Sequence, residues 1–438
     1  MNLQIDQQLE ASARYIDGLP RDSGDWLLGQ RQAAIQRFSD IGYPHSRMES
    51  WKYTGIAGLL EQSFESGEVS LKFPRHRVIQ RYLKQPVAGR LVFVDGVYQA
   101  DLSEAQTPGL FVGSLRSAMA SGDHQILSQV GALSGIGDHG FAALNLATLH
   151  DGAVIRVEEG VRIEAPVELL HVTTRASEGR ALNTRHRVIL GAQASASLIE
   201  RYVTLDDPVS CFNNLVCEVS LARGARLNHE RVQCEGSNTY HLSEVHLGLD
   251  ADAHYKGVQA SLGGAWSRTL IHNRFTAKGA NCELEGLFMA GEGQLTDIHL
   301  DVDHAVPQCD SRENFKGILS GAGKAVFDGL IRVGEQAQKS NAHLHNTNLM
   351  LSRRAEIDTK PQLLILADDV QCSHGTTVGQ LDPQALFYLR SRGLDPVRAR
   401  HLLCLGFASE IIEKFSSEAL REELNEVIRG KIEAAGSI

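Results

Sequence analysis

Leu190-Gly191-Ala192-Gln193-Ala194 is followed by Leu221-Ala222-Arg223-Gly224-Ala225 and then by Leu249-Asp250-Ala251-Asp252-Ala253. The pattern returns in Leu319-Ser320-Gly321-Ala322-Gly323-Lys324-Ala325 and in Leu351-Ser352-Arg353-Arg354-Ala355. Each copy has an apolar residue, a short turn of small or polar residues, and an Ala that opens a strand-like run. Leu190 and Leu221 start 31 residues apart, Leu221 and Leu249 start 28 apart, and Leu319 and Leu351 start 32 apart. A period of that size over short strands points to a solenoid, in which repeats stack turn on turn. The runs alternate with period two, as in Ala325-Val326-Phe327-Asp328-Gly329-Leu330-Ile331-Arg332-Val333. Period two argues against a helical solenoid. The expected fold is therefore mainly β, a β-helix, with a large β-sandwich as the alternative.

The flanks read differently. Residues 1 to about 60 have helical texture: from Asp25 onward, Leu27, Ala34, Ile35, Phe38 and Ile41 fall near one face until Gly42 and Pro44 stop the helix. Glu49-Ser50-Trp51-Lys52-Tyr53-Thr54 mixes aromatics and charges, as a segment docked on another surface or a packed loop would. Leu91 to Tyr98 reads as two short strands about an Asp95-Gly96 turn, and Phe141 to Leu149 as a short helix. In the tail, Asp382-Pro383 and Asp395-Pro396 are each an N-cap followed by Pro, and Gly393 ends the first of these helices. The second runs from Val397 toward Phe415. Ser416 or Ser417 caps a last helix through Ile432, with Leu420, Leu424 and Ile428 on one stripe. The expected layout is a mostly helical region at 1–90, a solenoid at 91–380 with a mixed lead-in to about 150, and a helical region at 381–438. Tail helices can cap the open end of a solenoid, whose edges and core are otherwise exposed, or serve as a docking site.

Composition bounds the function. The 438 residues are 42% hydrophobic and 22% charged, with a formal net charge of −10. That balance argues against a general binder of nucleic acid or anionic membrane. Met1 to Glu10 is polar and acidic, unlike a secretory signal, and no apolar run reaches the length of a membrane span. Seven scattered cysteines, with no C-x-x-C among them, fit a reducing cytoplasm and give no local run for a complete zinc or iron–sulfur site.

Several motifs fail on inspection. Lys324 follows Gly323 as in a phosphate loop, but Ile318 stands where Gly is required and Ala325 where Ser or Thr is. There is no H-E-x-x-H and no G-x-S-x-G. Asp297, His299, Asp301 and Asp303 share one strand face, which suits a metal site or, by preference, a solvated outer face. His343 and His345 read as surface residues by the same argument. Cys372 and His374 lie two apart after the apolar run Leu363 to Leu366 and so share a strand face. Such a pair suits a soft or borderline metal, or a thiolate activated by its neighbour, although spacing alone favours a buried Cys beside a hydrogen-bonded His.

Longer matches go further. Glu49 to Thr54, Leu91 to Gly96, Asp303-His304-Ala305-Val306-Pro307-Gln308-Cys309 with Arg312 and Phe315-Lys316-Gly317, and Ala355 to Leu363 resemble the SufB/SufD family of iron–sulfur cluster assembly proteins. The most specific matches are Ala367 to Gly375 and Phe387-Tyr388-Leu389-Arg390-Ser391-Arg392-Gly393. The resemblance is to the SufD side: SufB-like chains typically carry Glu-His-Glu-Ala in place of Cys372-Ser373-His374-Gly375, and Gln-Gln-Arg-Gly where this chain has Ser391-Arg392-Gly393. Leu364 and Leu366 depart from relatives that carry Glu and Tyr there. The resemblance implies a right-handed parallel β-helix between helical ends. It also implies a non-catalytic cytoplasmic scaffold that pairs with SufB through the β-helix, binds the ATPase SufC through the C-terminal helices, and supports cluster assembly and iron acquisition. Cys372 and His374 would then stand at the SufB contact as a shared cluster-assembly site. Phe387, Tyr388, Arg390, Arg392, Leu402 and Phe407 would serve SufC. No cofactor would stay on the isolated chain, which could pair with itself; iron or a nascent cluster would pass through the complex. The competing classes are a β-helix carbohydrate-active enzyme and a stand-alone metal-binding protein.

Overall fold

In the repeated Leu-to-Ala segments a β-turn reverses the chain. Ala194 N–H donates to the Gly191 carbonyl at 3.1 Å, Ala225 to Ala222 at 2.9 Å and Ala253 to Asp250 at 3.1 Å. The third residue of each turn has positive φ: 59° at Gln193, 68° at Gly224 and 56° at Asp252. That conformation explains the small and polar residues found there. The closing alanines are fully buried, so a larger side chain would meet the core.

This computed structural model describes residues 2–17, 25–66, 82–83, 86–105, 107–121, 124–134 and 139–436. Segments 18–24 and 67–81 of the expected N-terminal helical region lie outside the described residues. Successive strands from Ala153–Val157 to Gln371–Gly379 alternate between two sheets, and within each sheet they pair in parallel. The first sheet ends at Glu356–Ile365 and the second at Gln371–Gly379. Register is continuous: Trp266 lies beside Leu295, which lies beside Lys324. The fold is thus a parallel β-solenoid with helical regions at both ends of the chain.

Between the sheets, inward residues stack into ladders. One runs Val219, Leu247, Asn273, Val302, Ile331, Leu363. Phe275, Phe288, Phe315 and Phe327 fill the wider part of this core. Gly286 makes room for one of them, since a Cβ there would lie 2.2 Å from the Phe315 ring.

Both outer faces are covered. On the first sheet the N-terminal region buries Phe38, Trp51, Leu59 and Phe141 against Leu242, Trp266 and Leu270. Trp51 stacks on Trp266 with 10° between the planes, and the Arg268 guanidinium lies 3.8 Å from the Trp51 ring centroid. The aromatic segment at 49–54 is therefore docked on the solenoid. It covers part of the Asp297 face, which corrects the expectation of a solvated one: Asp297 is fully buried, bonded to Arg268 and Thr54. Burial pushes its carboxyl up to about 6 against the pull of that arginine. His343 and His345 are exposed, as expected.

The tail helices, Pro383–Ser391, Pro396–Ile412 and Glu418–Gly436, start as their caps require; Asp395 accepts from Val397 N and Arg398 N, both at 3.0 Å. Their placement differs from an end cap. Ile411, Ile412, Phe415, Leu420, Leu424 and Ile428 pack along the outer face of the second sheet, on Val258, Leu287, Met289 and Ile318. Each such side chain stabilises by about 1.5–3 kcal/mol relative to exposure. A flat sheet face offers the amphipathic helices more apolar area than the narrow end of a solenoid. Among the described residues no strand pairs with the C-terminal edge of either sheet. Among the described residues no helix is long and apolar enough to cross a membrane.

Candidate functional site at the open end of the solenoid

Glu356–Ile365 and Gln371–Gly379 each pair with one strand only, among the described residues. Gln371 N–H bonds to the Ser340 carbonyl at 3.0 Å. Alternate residues of a parallel strand turn to opposite neighbours, so the N–H and C=O groups of Cys372, His374, Thr376 and Val378 face outward, away from the solenoid. In the other strand Glu356 N–H bonds back to Gly323 at 3.0 Å, and the outward set is Ile357, Thr359, Pro361, Leu363 and Ile365. Pro361 falls on the side where no N–H is needed.

Cys372 stacks on Ala342 and His374 on Leu344, both buried positions of the interior ladder. The pair continues the inward face of the solenoid, but no further turn lies beyond it. Cys372 is consequently half-buried and His374 exposed. Burial pushes the Cys372 thiol up, partly offset by the Ala342 N–H. The thiol is therefore not an activated thiolate in the isolated chain, and a metal or a cationic partner would be needed to take its proton. His343, which bonds to the Ser373 hydroxyl at 2.7 Å, His345 and Arg312 line the same depression as His374.

Glu313 was missed from the sequence. It lies one strand below Leu344 in the ladder that ends at His374. It is fully buried, and burial pushes its carboxyl up to about 8, with the Ser311 hydroxyl only partly offsetting this. Its one sequence signal is the alternation Ser311, Glu313, Phe315, which puts it on the inward face.

The expected SufC-facing residues do not form one uniform surface. Phe387 and Tyr388 are 73% and 57% exposed, and Leu402 is 50% exposed. Arg390 and Arg392 are exposed too, with the Arg392 guanidinium 5.3 Å from the Tyr388 ring centroid. Phe407 is different: it is half-buried against the second sheet, with Lys316 Nζ 4.5 Å from its ring centroid.

Residues 171–407 match the family profile described as the SUF system FeS cluster assembly SufBD core domain, and residues 9–169 match the SufBD protein N-terminal region. The chain is 34% identical over 400 residues to the iron–sulfur cluster assembly protein SufD of Escherichia coli, covering 90% of each chain. It is 29% identical over 436 residues to an iron–sulfur cluster assembly SufBD family protein of Synechocystis, covering 97% of this chain and 95% of that one. Against the chloroplastic protein ABCI7 of Arabidopsis thaliana it is 32% identical over 440 residues, covering 98% and 90%.

Proposed function

Because the chain belongs to the SufBD family, and so to the iron–sulfur cluster assembly machinery of the Suf system, we propose that it is a non-catalytic subunit whose open solenoid end pairs with SufB. The observation that carries this reading is the placement of Cys372 and His374 on an unpaired strand edge. A strand added along this edge would satisfy the outward backbone groups and close the exposed core. It would also bring a second chain's ligands up to a thiol and an imidazole that are too few to hold a cluster alone. Iron and sulfide are then cargo of the joint, not a cofactor of the isolated chain.

The exposed side chains Phe387, Tyr388 and Leu402 support SufC binding by the first two tail helices, with Arg390 and Arg392 around them.

The test uses complex assembled from this chain, SufB and SufC. His374→Ala removes a ligand and little core, so all three chains should still co-purify while cluster yield drops at least about tenfold. In a separate preparation, Leu402→Asp should lose SufC and keep SufB. Wild-type cluster yield from a correctly assembled His374→Ala complex would refute the shared site.

A further inference from the structure

A second group of metal-ligating side chains lies on the outer face of the first sheet, away from its open edge. His246 and His272 are register partners on adjacent strands. Their rings stack with centroids 4.8 Å apart and 11° between the planes. Glu244 precedes His246 by two residues and shares its face, placing a carboxylate oxygen 3.2 Å from His246 Nε2. Glu244, His246 and His272 each bring one ligand atom, and all three atoms lie within 4.8 Å of one another.

Glu244 is buried, and its other carboxylate oxygen lies 3.3 Å from His139 Nε2, which holds the carboxylate in place. A carboxylate and two imidazoles with an open side are the ligand set that first-row divalent ions take. The 3.2 Å separation of the Glu244 and His246 atoms is already close to a ligand-to-ligand edge for bonds of about 2 Å. His272 is partly exposed, which leaves room for it to close on an ion and leaves a path for entry. Asp301 lies 3.6 Å from His272 Nδ1 and orients that ring.

The other Cys/His/Glu group is less suited. Glu200, Cys217 and His229 are sealed inside the solenoid, and one Glu200 oxygen is occupied by Tyr202 at 2.8 Å and Arg231 at 2.9 Å.

We propose that Glu244, His246 and His272 form a binding site for a divalent first-row transition ion, separate from the Cys372–His374 edge. The experiment titrates Co2+ into the full chain, stripped of metal by a chelator, and follows ligand-field absorption and binding heat. Wild type and a Cys372→Ser/His374→Ala variant should each bind one Co2+ per chain at this site with similar affinity. His272→Ala should weaken that binding at least about tenfold, and His246→Ala/His272→Ala should abolish the bands. Circular dichroism should stay unchanged, since neither histidine is in the core. Equal Co2+ affinity in the His246→Ala/His272→Ala variant, or loss of binding in the Cys372→Ser/His374→Ala variant, would overturn the assignment.

Discussion

The two ends of the solenoid are finished in opposite ways. At the start of the chain the sheets are blunted by short antiparallel strands: Leu110–Ser114 lies on Ala153–Val157, and Val97–Tyr98 and Glu104–Ala105 lie on Gly89–Val94. At the other end two strands of ten and nine residues stay parallel to their neighbours with one side unpaired among the described residues. Long straight edges of this kind are templates for another strand, and proteins that must stay apart usually break them up. Here Pro361 is the one interruption, while Leu364, Leu366 and Val378 are 49%, 61% and 49% exposed. An end left open in a chain that closes its other end so thoroughly has the features of a joint.

The largest expected effect on assembly comes from spoiling that joint. Val378→Pro removes an outward N–H that bonds to nothing within the solenoid and sets a ring on the edge. Affinity for SufB should fall at least about a hundredfold, or about 3 kcal/mol, with the melting temperature of the isolated chain nearly unchanged. Isothermal titration and a melting curve check both halves. Wild-type affinity would place the joint elsewhere.

The covered face should respond in the reverse way, in stability and not in assembly. Asp297→Ala leaves Arg268 as an unpaired buried cation beneath Trp51. Breaking a buried pair from one side typically costs about 3–5 kcal/mol. Urea unfolding should show a loss of that order, while any variant chain that remains folded binds SufB normally. A loss below about 1 kcal/mol would mean that water reaches Arg268.

These two places also differ in how far the sequence alone discloses them. The solenoid was readable because its turns recur with a steady period and demand small residues and positive φ at fixed places, as at Gly224 and Asp252. The first two tail helices were readable from their Asp-Pro caps and the last from its serines. Their docking face was not: a stripe of Leu420, Leu424 and Ile428 says that something covers it, but not whether that is a sheet face or a solenoid end. The Asp297 face escaped for a related reason. Period two separates inward from outward side chains, but it is blind to a segment more than two hundred residues away, such as Thr54, lying over the outward ones. Cys372 and His374 are singled out only by a resemblance; their spacing by itself favours a structural role.

The smallest expected effect is a dependence on pH at the open end, and it comes from Glu313. In the unfolded chain this carboxyl ionises near its ordinary value of 4.5, whereas in the folded chain burial keeps the proton on until about 8. Between those values the folded state holds one more proton than the unfolded state, so stability falls as pH rises and levels off above about 8. The full sweep could reach about 1.4 kcal/mol per pH unit; water reaching the ladder near its exposed end at His374 brings the expected loss from pH 5 to pH 8 down to roughly 2 kcal/mol. Glu313→Gln keeps the shape and cannot ionise. Any hydrogen-bonding cost of the amide is the same at every pH, so the slope is the informative quantity. Urea midpoints at pH 5, 6.5 and 8 should decline for wild type and stay level for Glu313→Gln. Pairing with SufB should steepen the decline for wild type, because deeper burial of the open end holds the proton on more firmly; a flatter decline would mean that the partner sets a cation beside Glu313. An equal slope in wild type and Glu313→Gln would show that Glu313 is ionised in the folded chain, with water or an ion beside it inside the last turn.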